Sequence, residues 1–369
     1  MKKARLFFQL IGLGVLAISL SIASCTKEGP MGPAGADGTD GKDGVDGNST
    51  CLACHGQEIK TTIEAQFSQS VHVSGLNAVD YAGGRASCAK CHSHQGYVEF
   101  AETGAVSGNI SNPTAWECAT CHSLHETMEA GDYALRLNGA VTLITDNTTV
   151  VDEGNNNTCL NCHQSRRNGE YYDKYTEDQT FTRKFTGDDI AVYQTAAFGP
   201  AGSATLNATS DTLTVVFDVP TTHVYISSTH AGPHLSSQGN TWIGVGGYTA
   251  AAGTMFSGHS DGCVKCHMGE ASGHSFKPEL DNCTSCHGEK DVYMDAIAGR
   301  VEAIGVALEA IHAIHEEDGE YHPMYASITR EQFQAFWNFM ILLEDRSNGA
   351  HNPTYVEALL DQAEALLGL

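Results

Sequence analysis

Six copies of one pattern, C-x-x-C-H, punctuate this 369-residue chain. They are Cys51-Cys54-His55, Cys88-Cys91-His92, Cys118-Cys121-His122, Cys159-Cys162-His163, Cys263-Cys266-His267 and Cys283-Cys286-His287. Together they use all but one of the 13 cysteines, leaving Cys25. At the chain's own Cys and His frequencies about 0.02 such motifs would arise by chance. Cysteines paired three positions apart also build tetrahedral zinc sites, yet zinc does not demand a histidine directly after the second cysteine. All six pairs have one. Two thiols at this spacing reach the two vinyl groups of one porphyrin, and the next residue then faces the iron as its proximal ligand. C-x-x-C-H is the attachment sequence of c-type haem. The expected cofactors are therefore six covalently bound haem c, with His55, His92, His122, His163, His267 and His287 as proximal iron ligands.

No cysteines remain for a disulfide framework, so the compartment must be read from elsewhere. Lys2, Lys3 and Arg5 precede an apolar run from Leu6 to Ile22, the shape of an export signal. The run ends in Ile22-Ala23-Ser24-Cys25, which resembles a bacterial lipobox with Cys25 as the lipidated residue. An uncleaved membrane anchor is the competing reading, but the run is at the lower limit for a span and is interrupted by Gln9, Gly12 and Gly14. The expectation is an exported lipoprotein anchored to the outer or inner membrane, facing the periplasm or the cell surface. A formal charge of -24 repels nucleic acid and anionic lipid and could steer a basic redox partner.

The chain divides by composition. Residues 1–25 read as the lipoprotein signal. Residues 26–50 carry glycine at every third position from Gly29 through Gly47, the collagen period. With only two prolines in those triplets the stretch reads as a tether holding the rest off the membrane, with a short trimerising stalk as the alternative. Residues 51–290 form the expected hexahaem-binding domain, with a β-rich insertion at about 171–228. Within it, 136–151 reads as two short strands around an Asp-Asn turn, and Leu206–Ser227 alternates in Thr and Val like strands. Residues 291–369 read as a helical segment completing that domain. Met294, Ile297, Val301, Ile304, Leu308, Ile311 and His315 fall at helical spacing, and Phe333, Phe336, Trp337, Met340 and Ile341 mark a second helix. Asn352-Pro353 reads as a cap opening a third, with Val356, Leu359, Leu360, Ala363 and Leu367 on its apolar face. The fold class expected is mainly α with little regular structure, wrapped around stacked haems, with a small β insertion and a C-terminal helical bundle.

The stretch S-N-G-A-H-N-P-T-Y-V-E-A-L-L resembles the C-terminal helices of the cytochrome c nitrite reductase and hydroxylamine oxidoreductase superfamily of multihaem cytochromes. The resemblance implies that His351, in H-N-P, is a distal haem ligand. F-S-Q-S-V-H-V-S-G resembles another of the family's ligand segments and implies His72. S-S-T-H-A-G-P-H-L implies His230 or His234, of which His230 ranks first. The departure is the catalytic haem: pentahaem nitrite reductases attach it through C-x-x-C-K, which this chain lacks. The family's nitrite-reducing activity is therefore not carried over by the fold.

Twelve of the 18 histidines lie outside the motifs, enough to cap six irons twice over. Three further distal candidates follow from position: His125, three residues after a proximal histidine; His259, four before Cys263; and His274, between the last two motifs. The distal set is thus His72, His125, His230, His259, His274 and His351. His312 and His315 read as packing residues on the first C-terminal helix, and Met255 and Met268 as core filler. Arg166, Arg167, Tyr171 and Tyr172 read as propionate partners before they read as a substrate pocket.

Six haems closed on both faces conduct electrons and bind nothing. The expected function is electron transfer along bis-histidine haems, with no catalytic residue assigned. The enzymatic alternative is a nitrite reductase-like oxidoreductase of nitrogen or sulfur oxyanions with one open haem. A structural alternative is a subunit of a cell-surface haem filament. Expected partners are other cytochromes or a quinol-linked membrane complex, the membrane through the N-terminal lipid, and further copies of the chain through the Gly-X-Y stalk.

Overall fold

The computed structural model describes residues 56–123, 134–196, 204–209, 211–249, 262–269, 273–278, 283, 287–288 and 290–369. The signal, the Gly-X-Y stretch, the first motif, His125, His259 and Met255 lie outside these. The described residues all belong to one compact unit. No helix among them is long and apolar enough to cross a membrane.

The secondary structure is mainly helical with a few small antiparallel sheets. The first part is built from short helices: α1 (Gln57–Phe67), α2 (Ala86–His92), α3 (His94–Thr103), α4 (Cys118–Cys121) and α5 (Asn156–Leu160). The α2–α3 junction is sharp because Ser93 is extended and caps α3, its hydroxyl accepting from the Gly96 amide at 3.1 Å. Gly96 abuts the Ala89 backbone so closely that a Cβ has no room there. As read from the sequence, β1 (Val141–Thr142) pairs with β2 (Val150–Val151) around Asp146-Asn147. The Asp146 carboxylate accepts from the Thr148 and Thr149 amides, and Asn147 takes a left-handed φ of 55°.

The β insertion has a different layout from the sequence reading. Its sheet runs β3 (Gln179–Phe185), β5 (Leu213–Val219), β4 (Ala204–Ala208), with Phe181 opposite Phe217 and Leu206 opposite Val215. β3 lies in the polar, aromatic stretch that carries no clear strand signal, because Thr180, Thr182 and Lys184 face outward, the inward face includes Arg183, bonded to the Tyr225 hydroxyl, and only Phe185 is fully buried. Leu213, Val215, Phe217 and Val219 of β5 alternate inward against α6 (Asp189–Ala196), where Tyr193 stacks on Phe185. β6 (His223–Ile226) leaves this sheet and pairs with β9 (Ala326–Thr329), placing Val224, Ile226 and Ile328 in the main apolar cluster.

That cluster is supplied chiefly by α9 (Lys290–Ala310), α10 (Arg330–Asp345) and α11 (Pro353–Leu367), which follow the short helices α7 (Gln238–Ile243) and α8 (Gly262–His267). α10 is buried on almost every side, so its polar groups need internal partners. The Asn338 amide takes the Tyr248 and Leu359 carbonyls and the Tyr248 N–H, and Trp337 donates to the Gly246 carbonyl at 2.8 Å. Asn352 caps α11 ahead of Pro353, its side chain accepting from the Tyr355 amide. The helix expected to run through His315 instead stops at Ala310. His312 turns with φ 57°, and the chain returns as a hairpin, β7 (Ile314–Glu317) with β8 (Glu320–Pro323), pairing His315 with His322 across the strands. The stop follows from chain reversal at Ile311-His312, which lets Ala313 accept the Met324 amide at 2.9 Å.

Near the end of α10, Glu344 is buried against Gly232 with one carboxylate oxygen unpartnered. Burial pushes its carboxyl up from 4.5 to about 8, against the smaller pull of Arg346. The unfolded chain releases this proton near its ordinary value and the folded chain holds it to about 8, so stability falls as pH rises between those values. Glu344→Gln should remove that slope, a difference on the order of 3 kcal/mol at pH 8 that vanishes near pH 4.5, read from denaturant unfolding at a series of pH values. In the same assay Gly96→Ala should cost about 1–3 kcal/mol at every pH, because the α2–α3 contact must open to admit a methyl.

Candidate haem sites

A C-x-x-C pair on one helical turn puts both thiols on the same face. Cys88 and Cys91 do so on α2, Cys118 and Cys121 on α4, and Cys263 and Cys266 on α8. Cys159 lies in the last turn of α5 and Cys162 just beyond it, where Asn157 and Asn161 hold the backbone. α4 is a single turn kept in place by a capping box between Glu117 and Thr120. In the sixth motif Cys283 and His287 are described, and the side chain of His287 is exposed.

The motifs converge. The Cys91 thiol lies 3.7 Å from the Asn161 carbonyl and the Cys162 thiol 4.0 Å from that of Lys90, so the second and fourth motifs interlock. The Val264 amide donates to Asn156 Oδ1 at 3.0 Å, which brings the fifth motif against the fourth, and the thiols of Cys91 and Cys162, and of Cys159 and Cys263, are close enough to shift one another's titration. Cys121 also interacts electrostatically with Cys159, and Cys266 with Cys283. Burial raises Cys121 to about 11 and is helped by the Cys159 and Cys118 charges. The Tyr97 hydroxyl sits among these thiols without a partner, and burial first, then Cys162, pushes it up.

Each of four motif histidines faces one histidine from outside the motifs. The ring centres of His92 and His234 are 5.8 Å apart, those of His163 and His72 6.1 Å, those of His267 and His351 6.3 Å, and those of His122 and His274 6.4 Å. Two imidazoles on opposite sides of one metal, each with its nitrogen at about 2 Å, have ring centres about 6 Å apart. Both ring planes then contain the nitrogen–metal–nitrogen line, so any twist between them is allowed. The interplanar angles of 31° to 82° fit that geometry.

The ring nitrogens not needed for a metal are partly engaged. His72 Nδ1 meets Ser70 Oγ at 3.1 Å, His163 Nδ1 meets Gln238 Oε1 at 3.4 Å, and His267 Nδ1 meets the Phe276 carbonyl at 2.8 Å. His351 Nδ1 lies 2.7 Å from a carboxylate oxygen of Asp345. Such second bonds fix which nitrogen is left to ligate. Burial, then His163, lowers His72 to about 4, and burial, then Arg166, lowers His234 to about 4. Burial also lowers His92, His163, His267 and His274. At neutral pH these rings are uncharged, the state in which imidazole binds a metal. His351 alone is held high: burial pulls it down, but the Asp345 charge and hydrogen bond outweigh that.

A second observation bears on fit. None of the three apolar clusters contains a residue before Val141. In the stretch that carries the second and third motifs, Val71 is 64 % exposed and Tyr81 73 %. Residues 56–123 bury only a few apolar side chains, among them Val79, Ala82, Ala89 and Tyr97, which leaves room for a macrocycle to supply the rest of the interior. The residues present therefore fit haem c.

The non-motif histidines expected as ligands fare differently. His72, His274 and His351 each sit against a motif histidine. His230 does not: its side chain is exposed, and the neighbouring His234, carried inward at a positive φ of 90° beyond Pro233, takes that place. The two lie on opposite sides of the Gly232-Pro233 turn, and periodicity cannot choose between them. His315 lies beside His322 on the hairpin and within 3.6 Å of the Glu317 carboxylate, away from the motif histidines. Arg167 donates to the Tyr172 hydroxyl at 2.8 Å and lies over Tyr171, while Arg166 points at the Cys88 sulfur, 3.8 Å away. Asp345 and Ser70 are missed by sequence reading, since nothing in their spacing to His351 and His72 marks them as hydrogen-bond partners.

No protein-family model matches the chain, and no curated protein does. Among solved structures it is similar to the crystal structure of the outer cell wall cytochrome OcwA, with 18% identity over 83% of this chain and 50% of that one, at a TM-score of 0.47. It is also similar to an undecahaem cytochrome from the S-layer of Carboxydothermus ferrireducens, with 19% identity over 81% of this chain and 40% of that one, at a TM-score of 0.45. The chain spans half the length of the first and less of the second.

Proposed function

We propose that this chain is an electron-transferring multihaem c-type cytochrome with six haem c groups, four of them held between His92 and His234, His122 and His274, His163 and His72, and His267 and His351. The observation that carries the reading is the set of four facing histidine pairs, each joining a C-x-x-C-H histidine to one from elsewhere in the chain at the separation two axial ligands require. Bound there, haem would supply an iron that gains and loses one electron. The chain's own part is to close both axial positions, which denies the metal to small reactants, and to keep the imidazoles neutral and oriented. For the first and sixth motifs the proposed distal ligands are His125 and His259.

The thiol contacts support a connected array. With the fourth motif against the second, third and fifth, and the fifth against the sixth, electrons would pass between neighbours through closely apposed haem edges. We further propose export as a lipoprotein through Cys25, a Gly-X-Y tether, and redox proteins as partners. Kinship with the nitrite reductase and hydroxylamine oxidoreductase superfamily is supported by the H-N-P stretch at His351. No nitrite-reducing site is proposed, because C-x-x-C-K is absent from the sequence.

Intact mass of the holoprotein should exceed that of the mature polypeptide by six haems, and the ferric spectrum should be low-spin, unchanged by nitrite, hydroxylamine or carbon monoxide. A dominant high-spin signal in the wild type would sink the closed-haem reading. His234→Ala should open one haem and give a high-spin component of about one part in six, whereas His230→Ala should leave the spectrum as it was.

A further inference from the structure

α10 ends at Asp345, and the loop that follows has left-handed residues at Arg346 (φ 59°), Asn348 (φ 48°) and Gly349 (φ 91°). Two of the three are non-glycine residues in a sparsely populated region, a conformation held only where the surroundings fix it. The result is a tight coil that turns His351 back onto the residue that ended the helix. His351 Nδ1 meets Asp345 Oδ1 at 2.7 Å, and the other carboxylate oxygen takes both the Ser347 hydroxyl and, at 3.3 Å, the Ser347 amide. Ser347 Oγ in turn accepts the His351 amide at 3.3 Å, which closes the ring of contacts. The Asp345 side chain is only 2% exposed, so its charge is little screened by water.

The non-motif histidines of the other three pairs are held differently. His72 has a neutral hydroxyl on Nδ1, and among the described residues no carboxylate bonds to His234 or His274. Opposite His351, His267 gives its Nδ1 proton to the Phe276 carbonyl, so the fifth motif has an acceptor behind each of its two imidazoles.

Resting on the haem reading above, we propose that Asp345 is a positioning residue that sets the potential of the iron at the fifth motif. It fixes Nδ1 of His351 as the protonated nitrogen, leaves Nε2 to ligate, and makes that ring a stronger donor than its counterparts at the other three pairs. A carboxylate behind a ligating histidine raises the basicity of the ligand. A more basic ligand favours the ferric over the ferrous ion, so Asp345 holds the midpoint of this iron down.

The test is a redox titration of the six-haem holoprotein, followed by optical and low-temperature magnetic spectra. Asp345→Asn keeps an oxygen that accepts from Nδ1 but removes the charge. It should leave six low-spin haems and move one component upward by about tenfold in its ferric-to-ferrous ratio, about 59 mV for one electron. Ser347→Ala removes a donor that draws charge off the carboxylate, and should move the same component downward. If Asp345→Asn does not fold with six haems, the sign of the Ser347→Ala shift decides alone. Unchanged midpoints in both variants, or an upward shift in both, would overturn the assignment, the second because it reports only a loosened loop. A wild-type protein with fewer haems or an open iron would defeat the haem reading itself, before either variant is made.

Discussion

Two imidazole nitrogens must lie on one line through each iron, and in the proposed array the chain brings them from distant places. The paired histidines are 84 positions apart at the closest (His267 to His351) and 152 at the farthest (His122 to His274). A permanent crosslink closing a loop of about a hundred residues withdraws roughly 4–5 kcal/mol of chain entropy from the unfolded state. A coordinate bond does the same for as long as it is made. Haem in such a protein is therefore more than cargo: its covalent attachment is local, but its axial bonds would tie together segments far apart in the sequence. The stretch from Gly56 to Ser123 illustrates the need, with short helices, exposed Val71 and Tyr81, and no apolar cluster of its own.

The C-terminal third solves the opposite problem. α10 is sealed by Phe336, Trp337 and Phe339 and by an amide network through Asn338, an interior of ordinary side-chain density. The same hydrogen bonding fixes the segments at its margins. The Gly246–Tyr248 strap is pinned by Trp337, Asn338 and Tyr355, and Ser237 and Gln238 are tied to the Ile341 and Glu344 carbonyls. Gln238 is the residue that meets His163, so the position of an axial ring is referred back to α10 through one side chain. His351 is referred to the same helix through Asp345.

What the sequence made legible follows a physical division. Attachment residues were readable because the chemistry fixes their spacing within five positions. The faces of α10 and α11 were readable because burial along a helix imposes a period, and the Asn352-Pro353 cap because it is local. Distal ligation has no such rule. His72, His274 and His351 could be nominated from resemblance or position, but that His234 rather than His230 lies beside a motif histidine follows from the turn at Gly232-Pro233. β3 escaped because six of its seven side chains are left partly or wholly in solvent, and α9 was read too long because His312 and His315 continue its spacing after the backbone has left the helix. Asp345 escaped for a plainer reason: a hydrogen bond made through three left-handed residues has no sequence period.

The positions of the motifs and of Asp345 combine into a consequence for the array. The fourth motif touches the second and the fifth and lies near the third, so it would act as a node, with the sixth motif reached through the fifth. If Asp345 lowers the midpoint of the fifth iron, electrons would rest elsewhere and cross that site only in passing. Equilibration within the node would then be fast compared with exchange toward the sixth motif, and one buried carboxylate would govern the difference. A step of this kind divides the array into a reservoir and an outlet using nothing more than a hydrogen bond on the far side of one imidazole.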